Sequence, residues 1–497
     1  MPGTTSQPRL RNFAARETSA LGTDHGRRLS PVDGSFLRLE TPQSHMHVGF
    51  SAVFAAPSGR PRPSVEALRD RAAGRLHEVP WCRWRLDPAP LGLSEPRWID
   101  DAEFDLAAHI VALTQPDDRV SHASFEALRS TVLSTPLDRS RPLWQISLVP
   151  QLEDGRIGMV GKIHHALVDG LAALQIVNLI LDPEPDVASE RPVPWQPRGR
   201  PGRVSWTLDA VTRTFADGVG AVRAGATAAT RPPAAIASAV RDARRIVDAV
   251  AEEVLSPAPP SALNAPIGAR RILVGYHARR DELRAARRDG GTLNDVGLAA
   301  VAGAVRALLQ RDCDPPPKPL KAMVPVSMRR LGDTGAGNQI SMITIALPVH
   351  LDSAAERLAW VREQTKRLKQ SDRSVGTHKL YEAAGLLPTL LRSSAAKAMA
   401  APRQFNLTVS QSPAPRGSLY LLGCELEEVY SVVPIAQGHA LAIGMVRYRQ
   451  ELFFGCYADP DALPDADQLP ALIEAELQEL GRAASSPRAV ATRISSS

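Results

Sequence analysis

Between residues 183 and 204 the chain reads PEPDVASERPVPWQPRGRPGRV, and a second proline-dense run, SPAPPSALNAP, occupies 256–266. Proline fixes its own φ and lacks a backbone N–H, so no regular element can cross either run. At 497 residues the chain also exceeds what one core ordinarily covers. We therefore expect an N-terminal lobe over 29–182, a Pro/Arg/Ala-rich connection over 183–268 and a C-terminal lobe over 269–480. Polar tails at 1–28 and 481–497 are expected to be disordered. Inside the connection, residues 205–252 are rich in Ala, Val and Arg at helical intervals, interrupted by Pro232 and Pro233. That pattern predicts two surface helices, whose basic face suits a lipid surface or, the favoured reading, ordinary packing and solvation.

Composition narrows the class. Hydrophobic residues at 44% and charged residues at 23% are ordinary globular values, which argues against a disordered, fibrous or multi-span membrane protein. A net charge of +6 favours anionic partners such as phosphorylated cofactors or acidic lipid headgroups, and equally serves solubility. Nucleic acid is poorly supported, because the basic residues are scattered and no stacking aromatics cluster with them. Cys82, Cys313, Cys424 and Cys456 lie far apart without C-x-x-C spacing, so neither a zinc ribbon nor a disulfide framework is suggested and a reducing cytosol fits. No signal peptide or spanning-length apolar run is present. The expected place is the cytoplasm, with peripheral contact to the inner membrane face or lipid bodies as its membrane option.

The first lobe holds the chemistry-bearing stretch. PLWQISLV and GRIGMVGKIHH are β-rich runs around PQLEDG, whose Asp154-Gly155 pair signals a tight turn. Beyond Gly170, Leu171, Leu174, Val177 and Leu181 recur at helical intervals. The adjacent His164 and His165 thus end a hairpin where strand yields to helix. Strand alternation groups His165 with Ile157, Met159 and Ile163, and groups His164 with Val160 and Lys162. The apolar face suits a pocket wall, so His165 is the candidate general base and His164 its support. A neutral imidazole, with an ordinary pKa of about 6.5, can take a proton from a hydroxyl. Asp169 could cap the next helix, pair with an arginine or orient the histidine, and a structural role is favoured. Gly170 permits a tight helix entry.

Competing chemistries have weaker support. Adjacent strand histidines diverge and no H-E-x-x-H or third ligand lies nearby, so no metal is expected. Nothing matches a G-x-S-x-G elbow, a Walker A loop or a dinucleotide fingerprint. The second half reads as helices at TLNDVGLAAVAGAVRALLQ, ERLAWVREQTKRLKQ and about 467–480. Strands are expected at LKAMVPVSM, NQISMITIALPV, LYLLGCELEEVYSVVP, HALAIGMVRYRQ and ELFFGCYAD. Both halves therefore mix strands and helices as an α/β or α+β layered fold.

HHALVDG (164–170) matches the H-H-x-x-x-D-G signature of the CoA-dependent acyltransferase superfamily. Other stretches resemble specifically the bacterial wax ester synthase/acyl-CoA:diacylglycerol acyltransferase family. These are LSPVDGSFLRLETPQSHMHVG near the start, RPLW at 141, LNDVGLAAVAGAVRALL at 293, VPVSMR at 324, GNQIS at 337 and the LPVHLD that follows. The likeness runs from about 29 to 480. It implies two chloramphenicol-acetyltransferase-like lobes with a central tunnel at their interface, where acyl-CoA and diacylglycerol or a long-chain alcohol meet. Acyl-CoA is then a co-substrate and no cofactor is needed. Pro142, Leu143 and Trp144 match the family, yet Trp144 alternates with Ile146 and Leu148 as core residues do. Asn294 and Asp295 also match, at a helix start where Thr292 and Asp295 suit a capping box. Both sets are expected to bind substrate or, the favoured reading, to support structure. Where the family commonly carries an N-V-P-G-P-like segment, this chain has NLTVSQSPAP from 406, so the turn there, and acceptor choice with it, is expected to differ. Two alternatives stay open: an acyltransferase drawing on a carrier-protein donor, and a non-catalytic lipid-binding protein of the same fold.

Overall fold

The computed structural model describes residues 26, 28–89, 95–167, 173–200, 202, 257–287, 291–310, 317–327, 340–370, 394, 396–412 and 417–483. Its strands, in chain order, are β1 (His47–Phe54), β2 (Trp84–Asp87), β3 (Arg97–Asp100), β4 (Ile110–Ala112), β5 (Trp144–Val149), β6 (Ile157–His164) and β7 (Ile272–Ala278). They continue with β8 (Leu320–Ser327), β9 (Ile340–Leu347), β10 (Leu407–Ser412), β11 (Tyr420–Leu421), β12 (Cys424–Val432), β13 (Leu441–Tyr448) and β14 (Glu451–Ala458). The helices used below are α1 (Pro31–Leu39), α2 (Val65–Arg75), α3 (His122–Ser134), α4 (Ala173–Ile180), α5 (Leu293–Leu309), α6 (Ala354–Gln370) and α7 (Leu469–Ala483). None of the described helices is long and apolar enough to cross a membrane.

Two six-stranded sheets organise the molecule, one in the order β11-β12-β1-β6-β5-β4 and one in the order β7-β14-β13-β10-β8-β9. The β5–β6 hairpin is antiparallel from Trp144↔Ile163 to Val149↔Gly158, and Gly155 takes the left-handed backbone (φ 85°) that its turn requires. In the second sheet, α5 is nearly all Ala, Gly, Val and Leu, and its long buried face packs against α6 and α7. A side chain at Gly303 would strike the Glu476 carboxylate, which pairs with Arg357 at 2.9 Å. Small residues there let two helices and a buried ion pair coexist.

The boundary expected at 269 is crossed. β11 and β12 fall inside the range assigned to the C-terminal lobe, yet they complete the first sheet, with Gly49↔Val432 through Phe54↔Leu426 in antiparallel register. An unpaired edge of β1 would leave its backbone groups without partners, and β12 supplies them. On its way β12 lies against three glycines that are level in the second sheet, Gly275, Gly455 and Gly444. A Cβ at Gly275 would enter the Tyr430 ring, and one at Gly455 or Gly444 would meet the Ser431 backbone. Leu273, Ala442, Phe453 and Tyr457 of the second sheet join the core cluster of the first, so the hydrophobic interior is continuous between the sheets.

The proline-rich connection behaves as its composition requires as far as residue 200, with little regular structure. Arginines and aspartates fasten it to the first lobe. Arg71 donates to the Val187 and Ala188 carbonyls at 2.7 and 3.1 Å, and Arg83 lies over the Trp195 ring at 4.7 Å. Arg198 binds Asp100 at 3.1 Å and Arg200 binds Asp87. The helices expected over 205–252 lie outside the described residues, as do both tails apart from 26, 28 and 481–483.

Candidate active site

β6 carries the histidine pair to the edge of the interface between the sheets. His164 is its last residue, opposite His47 of β1, and its N–H donates to the Leu143 carbonyl at 2.9 Å. The strand ends there. His165 belongs to the turn that follows, anchored by its N–H to the Met46 carbonyl at 2.8 Å, while the Leu167 N–H returns to the His164 carbonyl at 2.9 Å. Its ring lies flat on Phe36 of α1, with centroids 3.9 Å apart and planes 6° from parallel.

This geometry corrects the alternation argument in two respects. Every residue of β6 is buried, Lys162 and His164 included, so burial does not set one face of the strand apart from the other. His165 also stands beyond the last paired residue, where strand alternation no longer governs direction. The two rings differ instead in what surrounds them. His164 is 1% exposed, and its Nδ1 accepts the Ala166 N–H at 3.0 Å, which places the proton of the neutral ring on Nε2. His165 keeps 9% of its surface open, the larger share of the two.

Several residues that the sequence did not single out converge here. Glu40 caps α1 and faces His164, with Oε1 3.6 Å from Nε2, and Arg139 holds its other oxygen at 2.6 Å. Burial pushes the Glu40 carboxyl up, but the neighbouring His164 ring and Arg139 outweigh it and hold the group below its ordinary value. His47 is wholly buried, and burial first, then the charge of Lys162, keeps it far below the usual imidazole range. Lys162 is drawn down to about 8 by burial, and its Nζ donates to the Val132 and Thr135 carbonyls at 2.8 and 2.7 Å, at the C-terminal end of α3.

The second sheet reaches into the same region. Tyr457 of β14 places its hydroxyl 3.4 Å from His47 Nε2 and 3.1 Å from the Leu133 carbonyl. Arg271 binds the Gln43 carbonyl and lies 3.4 Å from Asp459. His47, which lies opposite His164 across β1 and β6, is therefore backed by Tyr457 of the second sheet. One signal in the sequence pointed this way: His45 and His47 are spaced by two, the interval of one strand face, and their rings stack at 5.7 Å.

The other candidates divide clearly. Pro142, Leu143 and Trp144 are buried beside the pair: Leu143 receives the His164 N–H, and Trp144 stacks on His109 at 4.7 Å and donates from Nε1 to the Cys82 carbonyl at 2.8 Å. Their contacts are those of a structural brace. Asn294 and Asp295 stand at the start of α5, where Thr292 and Asp295 form a capping box. Asp169 and Gly170 lie outside the described residues. NLTVSQSPAP forms β10 up to Ser412, with Asn406 bonded to Lys321 and Asn264 at 2.8 and 2.6 Å, while 413–416 lie outside the described residues. Among the described residues, the group with metal-compatible spacing is His77, Glu78 and Glu190, partly open to solvent and separate from the histidine pair.

Known proteins share this architecture. The wax ester synthase/diacylglycerol acyltransferase catalytic domain model matches residues 29–297, and the WS/DGAT C-terminal domain model matches 336–481. The chain is 31% identical over 458 residues to O-acyltransferase WSD of Acinetobacter baylyi, covering 91% of this chain and 96% of that relative. The solved wax ester synthase/diacylglycerol acyltransferase from Marinobacter aquaeolei VT8 is similar with a TM-score of 0.64 and 27% identity, covering 93% of this chain and 100% of that one. The starter condensation domain of rhizomide synthetase shares the fold alone, at 14% identity and a TM-score of 0.54 over 95% of this chain and 96% of that one. On the matched length and the shared mixed α/β fold, the chain belongs to the wax ester synthase/diacylglycerol acyltransferase family and is an acyltransferase.

Proposed function

We propose that the chain transfers a long-chain acyl group from acyl-CoA to the hydroxyl of diacylglycerol, and to long-chain alcohols, with His165 as general base. The observation that carries this reading is the contrast within the pair: His164 is 1% exposed and bonded to its own turn, while His165 is seated on Phe36 and is the more exposed residue of the two, at 9%. A channel between the two sheets would bring donor and acceptor to it from opposite sides.

In the reaction, a ring nitrogen of His165 takes the acceptor O–H proton as the oxygen bonds to the thioester carbonyl carbon. The tetrahedral oxyanion then collapses, the C–S bond breaks, and the imidazolium returns its proton to the departing CoA sulfur. No acyl-enzyme forms and no cofactor is consumed, because the thioester is already activated. General-base assistance of this kind is worth about 10² to 10⁴ in rate. Lipid substrates also fit peripheral contact with a membrane or lipid-body surface.

Purified protein given labelled palmitoyl-CoA and diolein is expected to release CoA and form triacylglycerol, and His165→Ala is expected to abolish nearly all of it. CoA release unchanged by that substitution would defeat the base assignment. Substituting an acyl-carrier thioester for palmitoyl-CoA tests the donor separately, and a panel of alcohols ranks the acceptors.

A further inference from the structure

α1 seats both histidines. Phe36 carries the His165 ring on its last turn, and Glu40, the next residue after the helix, faces His164. A carboxylate at this end of a helix sits against the dipole, where cations are favoured, so local helix stability does not account for it. Arg139 holds the carboxylate by Nε at 2.6 Å and reaches the Leu37 carbonyl at 2.9 Å, fixing the helix end and the acid together. The opposing nitrogen, His164 Nε2, is buried and has no hydrogen-bond partner among the described residues. At 3.6 Å the Glu40 oxygen is just beyond hydrogen-bond range of that nitrogen.

We propose that Glu40 is a positioning residue of the acyl-transfer centre: by receiving the Nε2–H of His164 it holds that ring in one tautomer, and through Nδ1 and the Ala166 N–H it sets the turn that carries His165. The inference rests on the assignment of His165 as the base. The chain of contacts is continuous, from Arg139 to Glu40, across 3.6 Å to His164, and by a 3.0 Å bond to the Ala166 backbone next to His165. Without the acid, the proton of His164 is free to move to Nδ1, where it would oppose the Ala166 N–H and distort the turn. Glu40 also sets a carboxylate, paired with Arg139, beside the buried His164.

The test uses the full chain with palmitoyl-CoA and diolein. Glu40→Ala is expected to lower kcat roughly 10-fold to 100-fold, the range a small misplacement of a reacting group produces, with KM for the acyl donor and the thermal midpoint close to those of the parent. Glu40→Gln keeps a carbonyl oxygen for Nε2–H, folds by the same contacts, and is expected to recover most of the loss. In a His164→Asn background, Glu40→Ala is expected to cost nothing further. Additive losses in that double variant, a Gln variant as poor as the Ala variant, or a rise in KM at constant kcat would each overturn the proposal. His165→Ala run beside them separates the two readings: retained turnover there refutes the base, whereas lost turnover there with a fully active Glu40→Ala refutes only the positioning role.

Discussion

The end of β6 in the first sheet and the start of α5 beside the second present two family-matched motifs with opposite uses of their polar atoms. At α5 the side chains of Thr292 and Asp295 are committed. Asp295 Oδ2 accepts the Thr292 N–H at 2.7 Å and the Thr292 hydroxyl at 2.9 Å, Oδ1 accepts the Thr365 hydroxyl at 2.8 Å, and Thr292 Oγ1 accepts the Asp295 N–H at 3.2 Å. At β6 the buried Nε2 of His164 has no hydrogen-bond partner among the described residues and faces a carboxylate at 3.6 Å, and the ring of His165 rests on an aromatic face. A motif whose donors and acceptors close on one another holds a shape. One that leaves polar atoms poised between elements is built to act on something else.

The widest separation between the two motifs is expected from His165→Ala, which should lower turnover by about 10² to 10⁴ while leaving the thermal midpoint nearly unmoved. Calorimetry alongside CoA release checks both halves. A large fall in midpoint would mean that His165 serves the fold as Asp295 does, and the contrast would dissolve.

A smaller effect sets a buried histidine of the second lobe against those of the first. His439 stacks on Phe405 at 4.0 Å with Nε2 3.1 Å from the Phe405 carbonyl, and burial, only partly offset by backbone contacts, lowers it to about 4. It is neutral in the fold, while in the unfolded chain it titrates at the ordinary 6.5. Between those values the unfolded state takes up a proton that the native state refuses. Its contribution is therefore complete above pH 6.5 and is lost as pH falls toward 4, by at most about 3 kcal/mol. Denaturant midpoints across that window should flatten in His439→Gln. His47, lowered in the same direction, accounts for slope that remains; an unchanged slope would show that His439 is not sealed as described.

The sequence was most legible where structure is local. The Asp154-Gly155 turn announced the β5–β6 hairpin, and Thr292 with Asp295 announced the cap of α5, because each signal and its consequence lie within a few residues. Pairing at a distance was not legible: alternation in CELEEVYSV marks a strand but does not name β1 as its partner across nearly the whole chain. The same limit hid Glu40, whose meaning depends on Arg139 and His164 arriving beside it. Lys162 is a related case: its place on a strand face does not tell that the open carbonyls of α3 satisfy its ammonium in the interior.

The smallest expected effect tests the committed motif directly. Thr292 is exposed, so Thr292→Ala opens no cavity and removes chiefly the side-chain acceptor for the Asp295 N–H. Loss of such a cap costs about 1 kcal/mol, read as a modest drop in denaturant midpoint. Asp295 would still accept the Thr292 N–H and the Thr365 hydroxyl, so α5 should keep its place against α6 and α7. Turnover per folded molecule should then match the parent, because nothing at the start of α5 touches the histidine pair among the described contacts. A fall in kcat greater than the loss of folded protein would instead bring the start of α5 into the proposed acyl-transfer centre, and the division between the two motifs would have to be redrawn.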